Sequence, residues 1–170
     1  VFAKNWDLDN DGFFDDAFGD SISVNFNNSG IIEVGIQIIL SGGQKISAYD
    51  SVEIFPSPVA DFSITSVCAG SQLQAMNHSI IDNGSLNYIW DMGDSTQYSN
   101  EHANHVYDQG GSFMVKLVAR SEHACKDSTY YMLPIHEKPQ ADFSYTNPCE
   151  DKSVYFQNKT TMDRDSIVSI

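Results

Sequence analysis

Two stretches of this chain repeat each other at a fixed distance. Residues 58–79 read PVADFSITSVCAGSQLQAMNHS, and residues 139–160 read PQADFSYTNPCEDKSVYFQNKT. Pro, Ala-Asp-Phe-Ser, Thr, Cys and Asn recur in the same order at an offset of 81, as do Ile54 and Ile135. GIIEVGI at 30–36 aligns with GSFMVKL at 111–117 at the same offset. A constant period of this length marks tandem modules, so the fold must be read one copy at a time. The chain then divides into 1–56, the C-terminal part of a first copy; 57–138, a complete copy; and 139–170, the N-terminal part of a third. On this reading the sequence is a window on a longer array, and residue 1 is not a natural start.

Within a copy the apolar pattern has period two. Phe113, Val115, Leu117 and Ala119 share one face of 112–121, opposite Met114, Lys116, Val118 and Arg120. Ile32, Val34, Ile36, Ile38 and Leu40 alternate in the same way in the first copy. Alternation over eight or nine residues predicts half-buried strands. Shorter strands are expected at 60–65, 72–77, 87–92 and 129–135. Gly42-Gly43, Asp82-Asn83-Gly84 and Gly110-Gly111 supply the turns. No segment keeps a 3.6-residue period. About seven short strands in about 80 residues predict an all-β chain of tandem immunoglobulin-like β-sandwiches.

The stretch YIWDMGDSTQ at 88–97 has a counterpart, KNWDLDNDGFF, at 4–14. A Trp on a central strand fills the space between two sheets, and Asp residues after it pin the turn by accepting backbone N–H bonds. Trp6, Trp90 and Tyr107 are therefore expected in the core. WDMGD, followed by HVY and then by GGSFMVKLVA, resembles the PKD (polycystic kidney disease) domain. Trp90, Asp91, Gly93, Asp94, His105, Tyr107, Gly111, Phe113, Val115 and Leu117 match its pattern, with Met92 and Ser95 standing where the family has Phe and Gly. The resemblance extends over essentially the whole chain and implies an extracellular spacer or binding module. A Cys after the first strand and another before Lys-Asp resemble PKD repeats of Bacteroidota surface proteins, among them gliding adhesins of the SprB type and other cargo of the type IX secretion system.

Cysteines, metals and modification follow from that frame. Pairing within each copy predicts a Cys68–Cys125 disulfide, with Cys149 left without its partner; the alternative is free thiols. The difficulty is that the first turn and the last hairpin of a regular sandwich lie at opposite ends. Asp7, Asp9, Asp11 and Asp15, with Gly12, have the spacing of the first part of a calcium loop. The twelfth position is Phe18, so the bidentate ligand is missing unless Asp16 or Asp20 substitutes; the alternative is a solvated acidic turn. No other cofactor is indicated, and the central copy keeps only Asp91 and Asp94 in equivalent places. His102 and His105 lack further ligands for zinc. Ser21, Ser51, Ser95, Ser128 and Ser166 each follow Asp and precede Ile, Val or Thr, which resembles the Bacteroidota O-glycosylation sequon.

Composition excludes some partners. The chain carries 23 acidic against 9 basic residues, a net charge of −14, so it has no basic stripe for nucleic acid. No apolar run approaches the roughly 20 residues of a membrane span. No nucleophile motif or phosphate-cradling loop occurs, and the carboxylates are scattered through turns, so no enzyme is expected. The resulting expectation is the stalk of a large secreted or cell-surface adhesin, acting in adhesion or gliding. Its copies touch their neighbours, and other regions contact a surface, polysaccharide or protein. The alternative is a carbohydrate- or protein-binding accessory module of a secreted hydrolase, which a row of exposed Tyr88, Tyr98, Tyr130 and Tyr131 would favour.

Overall fold

The computed structural model describes residues 3–147 and 149–162, and every regular element among them is a β-strand. The chain forms two compact units, Val1–Ser57 and Pro58–Ile170. In the first, β1 (Ala3–Asp7), β2 (Ala17–Phe18), β3 (Gly30–Ile39) and β4 (Lys45–Ile54) make one antiparallel sheet in the order β2-β1-β3-β4.

The second unit contains two facing sheets. One is β5 (Phe62–Ile64), β6 (Gln72–Asn77) and β9 (Ala103–Val106), in the order β5-β6-β9. The other is β7 (Leu86–Asp91), β8 (Gln97–Tyr98), β10 (Gly111–Ser121) and β11 (Lys126–Ile135), in the order β11-β10-β7-β8. A hairpin of β12 (Phe143–Tyr145) and β13 (Phe156–Asn158) follows.

The alternation read from sequence decides which faces meet. Val115, Leu117 and Ala119 of β10 are fully buried, while Met114, Lys116 and Arg120 point outward. Leu117 lies opposite Trp90 across the β7–β10 ladder. Leu73 and Ala75 from the facing sheet close over them, together with Met92, Leu133 and Tyr107, in a single core. The Phe62 ring meets the Trp90 indole edge-on at 5.2 Å. Two antiparallel sheets joined by such a core form an immunoglobulin-like β-sandwich.

The sequence period reappears in the strand register. Gly30 pairs with Ile54 and Ile39 with Lys45; at an offset of 81, Gly111 pairs with Ile135 and Arg120 with Lys126. Phe62 pairs with Asn77, and Phe143 with Asn158. The isolated bridge Val59–Ile80 has its counterpart in Gln140–Thr161. The side-chain bonds at the hairpin ends recur as well: Asn77 Oδ1 accepts from Ser79 N, and Asn158 Oδ1 from Thr160 N, both at 2.9 Å. Sequence similarity here means the same backbone pairing.

Two expectations are corrected. Cys68 and Cys125 form no disulfide; they and Cys149 are free thiols. The backbone of Cys68 bridges His136, just past the end of β11, whereas Cys125 precedes the start of that strand. Ten strand residues at about 3.3 Å each separate the two positions by roughly 30 Å, and a disulfide needs Cα atoms within about 7 Å. Trp6 is only half-buried, unlike the fully enclosed Trp90 and the nearly enclosed Tyr107.

Candidate functional site: two acidic corners

Each tryptophan strand ends in a corner, and the corners differ in length. Trp6 pairs with Ile36, and Trp90 with Leu117, at equivalent places on the long strands. Each indole Nε1–H donates to a backbone carbonyl beyond its corner at 3.0 Å, Gly19 O for Trp6 and Asn100 O for Trp90. On the return strand, Trp6 pairs with Ala17 and Trp90 with Tyr98. The first corner therefore spans residues 7–16 and the second 91–97, and the extra length holds the additional acids.

The first corner gathers Asp7, Asp9 and Asp16. One carboxylate oxygen from each lies within 4.8 Å of the others. Asp7 is fully buried at the end of β1. Its Oδ2 accepts from Gly12 N at 3.1 Å, while its Oδ1 is buried and has no hydrogen-bond partner. Asp16 Oδ2 accepts from Leu8 N at 2.6 Å, and Asp9 Oδ1 from Asp11 N at 3.2 Å. Asn10 and Gly12 take left-handed backbone angles of φ 58° and 86°, which bend the loop back on itself. The Asp9 carboxyl is raised above its ordinary value by loss of hydration and by the negative charges of Asp11, Asp16 and Asp7, against the Asp11 N–H bond that lowers it. Among the described residues no cationic side chain pairs with this cluster; Lys4 is taken by Asp20.

The acids that converge differ from the four grouped by spacing. Asp7 and Asp9 are brought together as expected. Asp11 instead turns its Oδ1 to the Phe13 N–H at 2.8 Å, and Asp15 lies outside the cluster. Asp16 takes the third place because it directly precedes Ala17 and so faces the end of β1.

The second corner supplies its acids with hydrogen-bond partners. Asp91 and Gln97 are directly paired, and Gln97 Nε2 donates to Asp91 Oδ2 at 3.3 Å. Asp91 Oδ1 accepts from Gly93 N at 2.9 Å. Gly93 has φ 79°, and a Cβ there would lie 2.7 Å from Met114 O, so no side chain fits. Asp94 Oδ1 accepts from Thr96 N at 2.9 Å, and its Oδ2 lies 2.8 Å from His105 Nε2. Loss of hydration pushes the Asp94 carboxyl up. The Thr96 backbone and hydroxyl bonds and His105 outweigh it, so the group lies below its ordinary value.

His105 Nδ1 is 3.0 Å from the Tyr98 hydroxyl. Tyr107, whose hydroxyl is pushed up by burial and stays neutral, donates to Met92 O at 2.6 Å.

The Asp94–His105–Tyr98 chain looks like a hydrolytic relay, but His105 is 7% exposed and both its ring nitrogens are engaged. It is a packing network that ties the corner to β9. Ser63 Oγ and His78 Nε2 are 2.8 Å apart at the surface, yet among the described residues no carboxylate orients His78. A groove of about 280 Å³ along β5 and β6, lined by residues such as Ile64, Val67, Leu73 and Met76, offers no acid, histidine or cysteine.

The remaining sequence candidates separate cleanly. Ser21, Ser51, Ser95 and Ser128 are exposed, whereas Ser166 lies outside the described residues. Ser51 and Ser128 lie within β4 and β11, each an outermost strand of its sheet. The four tyrosines form no row. Tyr88 and Tyr98 pack on the core, and the exposed Tyr130 and Tyr131 are consecutive in β11 and so face opposite sides. Among the described residues no helix is long and apolar enough to cross a membrane.

Residues 56–132 match the family model of the PKD domain. PKD domains are typically accessory modules of extracellular or secreted proteins.

Similar solved structures include the PKD1 domain of Vibrio anguillarum Epp. It is 24% identical, with a TM-score of 0.44, over 48% of this chain and 96% of that one. The PKD1 domain of the Vibrio cholerae metalloprotease PrtV is 22% identical, with a TM-score of 0.43, over 46% and 96%. A structure of carbohydrate-binding modules from the β-sandwich superfamily is 15% identical, with a TM-score of 0.47, over 59% and 52%. No curated protein matches the chain.

Proposed function

We propose that the chain is part of a tandem array of PKD-like sandwiches, with copies at 1–56, 57–138 and 139–170. The array forms the stalk of a large secreted or cell-surface adhesin and serves adhesion or gliding. The observation that carries this reading is the recurrence of whole strand registers at an offset of 81. A chain that repeats a complete packing unit gains its use from length and spacing. Phe55-Pro56-Ser57-Pro58 and Glu137-Lys138-Pro139 are short linkers whose prolines restrict bending. Adhesion to a surface, polysaccharide or protein then belongs to other parts of the array.

The alternative, a carbohydrate-binding accessory module, needs an aromatic platform that β11 does not provide. The exposed Ser21, Ser51, Ser95 and Ser128 fit O-glycosylation, which on β4 and β11 would block strand addition at the sheet edges.

Antibodies raised against the chain test the reading on source cells. Labelling of intact, unpermeabilised cells is expected. Labelling that appears only after lysis would remove the surface assignment.

A further inference from the structure

We infer that Asp7, Asp9 and Asp16 form a binding site for a hard divalent cation, calcium in an extracellular setting, that the central copy has lost. The inference goes beyond the stalk reading and holds whether or not the array is an adhesin.

Two independent observations carry it. Three carboxylates converge within 4.8 Å. One of them, Asp7, is fully buried and keeps an oxygen without any hydrogen-bond partner. An unsatisfied buried carboxylate oxygen is costly unless something positive completes it. Among the described residues no cationic side chain does so.

The central corner shows what a cation-free solution looks like. Gln97 stands where Asp16 stands, and its amide donates to Asp91, the counterpart of Asp7. Replacing that amide with a carboxylate turns a donor–acceptor pair into two acceptors, which a cation can bridge. Oxygen-only donors in an exposed, bent turn suit calcium's flexible coordination better than the strict octahedron of magnesium. Three carboxylates in a solvated loop place the affinity in the weak range of extracellular modules, a dissociation constant of about 10⁻⁴–10⁻³ M. Filling the site would join the end of β1 to the start of β2 through Asp7 and Asp16.

The test is calcium titration of the chelator-stripped full chain by calorimetry, beside Asp9→Asn and Asp16→Gln. Asp9 is exposed, so its variant keeps the fold even if Asp16→Gln does not. One saturable site is expected, weakened tenfold or more in Asp9→Asn and in folded Asp16→Gln. Terbium gives a second readout, excited through Trp6 beside Asp7. Trp6→Phe should dim its emission and Trp90→Phe should not. No saturable site up to about 10 mM calcium, well above the weak range, would overturn the inference. So would unchanged affinity in Asp9→Asn, or emission that follows Trp90.

Discussion

The corners after Trp6 and Trp90 begin alike and finish differently. Both start at the same register on the long strand, and both indoles donate to a carbonyl past the turn. The second corner is short, satisfied by Gln97, Thr96 and His105, and backed by a fully buried Trp90. The first is longer, more acidic, and keeps one buried carboxylate oxygen unpaired over a half-buried Trp6. The difference teaches that the repeat conserves backbone pairing, while each copy settles its corner charges with whatever side chains it has.

The largest contrast should come from the indoles. Trp90→Ala should destabilise the second unit by about 3–5 kcal/mol, and Trp6→Ala should cost the first about 2 kcal/mol, because less of it is enclosed. Denaturant unfolding of each variant measures both, and equal costs would break the contrast. Next come the corner glycines. Gly93→Ala should cost about 2–3 kcal/mol, because strain adds to the clash with Met114 O. Gly12→Ala should cost about 1 kcal/mol, since only the positive φ resists it. Gln97→Asp should destabilise the second unit by about 1 kcal/mol in chelator, by setting a second carboxylate against Asp91.

The smallest effect is a difference of sign with pH. Asp94 is lowered in the fold, so its contribution is present above the ordinary carboxyl value of 3.8 and is lost as pH falls through the depressed folded value below that. Asp9 is raised, so without cation its contribution is present below 3.8 and is lost as pH rises through the elevated folded value. Thermal melts of the two units across the acid range should therefore drift in opposite directions in chelator.

Much of this was legible in the residues. The period of 81 carried the register, and the alternation in β10 named its buried face, because a strand with one wet side leaves a two-residue pattern. Trp90 and Tyr107 were readable as core because a large aromatic beside a turn has few other places to go. The acidic cluster was only half legible. A calcium-loop template weighs spacing along a loop, whereas here the third carboxylate is placed by β2, a two-residue strand too short to leave any periodic signal. Aligning the return strands, with Asp16 before Ala17 and Gln97 before Tyr98, would have found it. β8 escaped for the same reason. The cysteine pairing failed because counting thiols says nothing about which end of a strand each occupies.

The central claim is that the chain is built of repeated, self-contained units whose corners differ in chemistry. Its two tryptophans fall one in each unit, so Trp90→Phe leaves Trp6 as sole reporter of the first and Trp6→Phe leaves Trp90 for the second. The decisive measurement is denaturant unfolding of both single-tryptophan chains, with calcium and with chelator. The account predicts two different midpoints, with the Trp6 midpoint rising in calcium and the Trp90 midpoint unmoved. One shared transition, or an equal calcium response from both reporters, would contradict it.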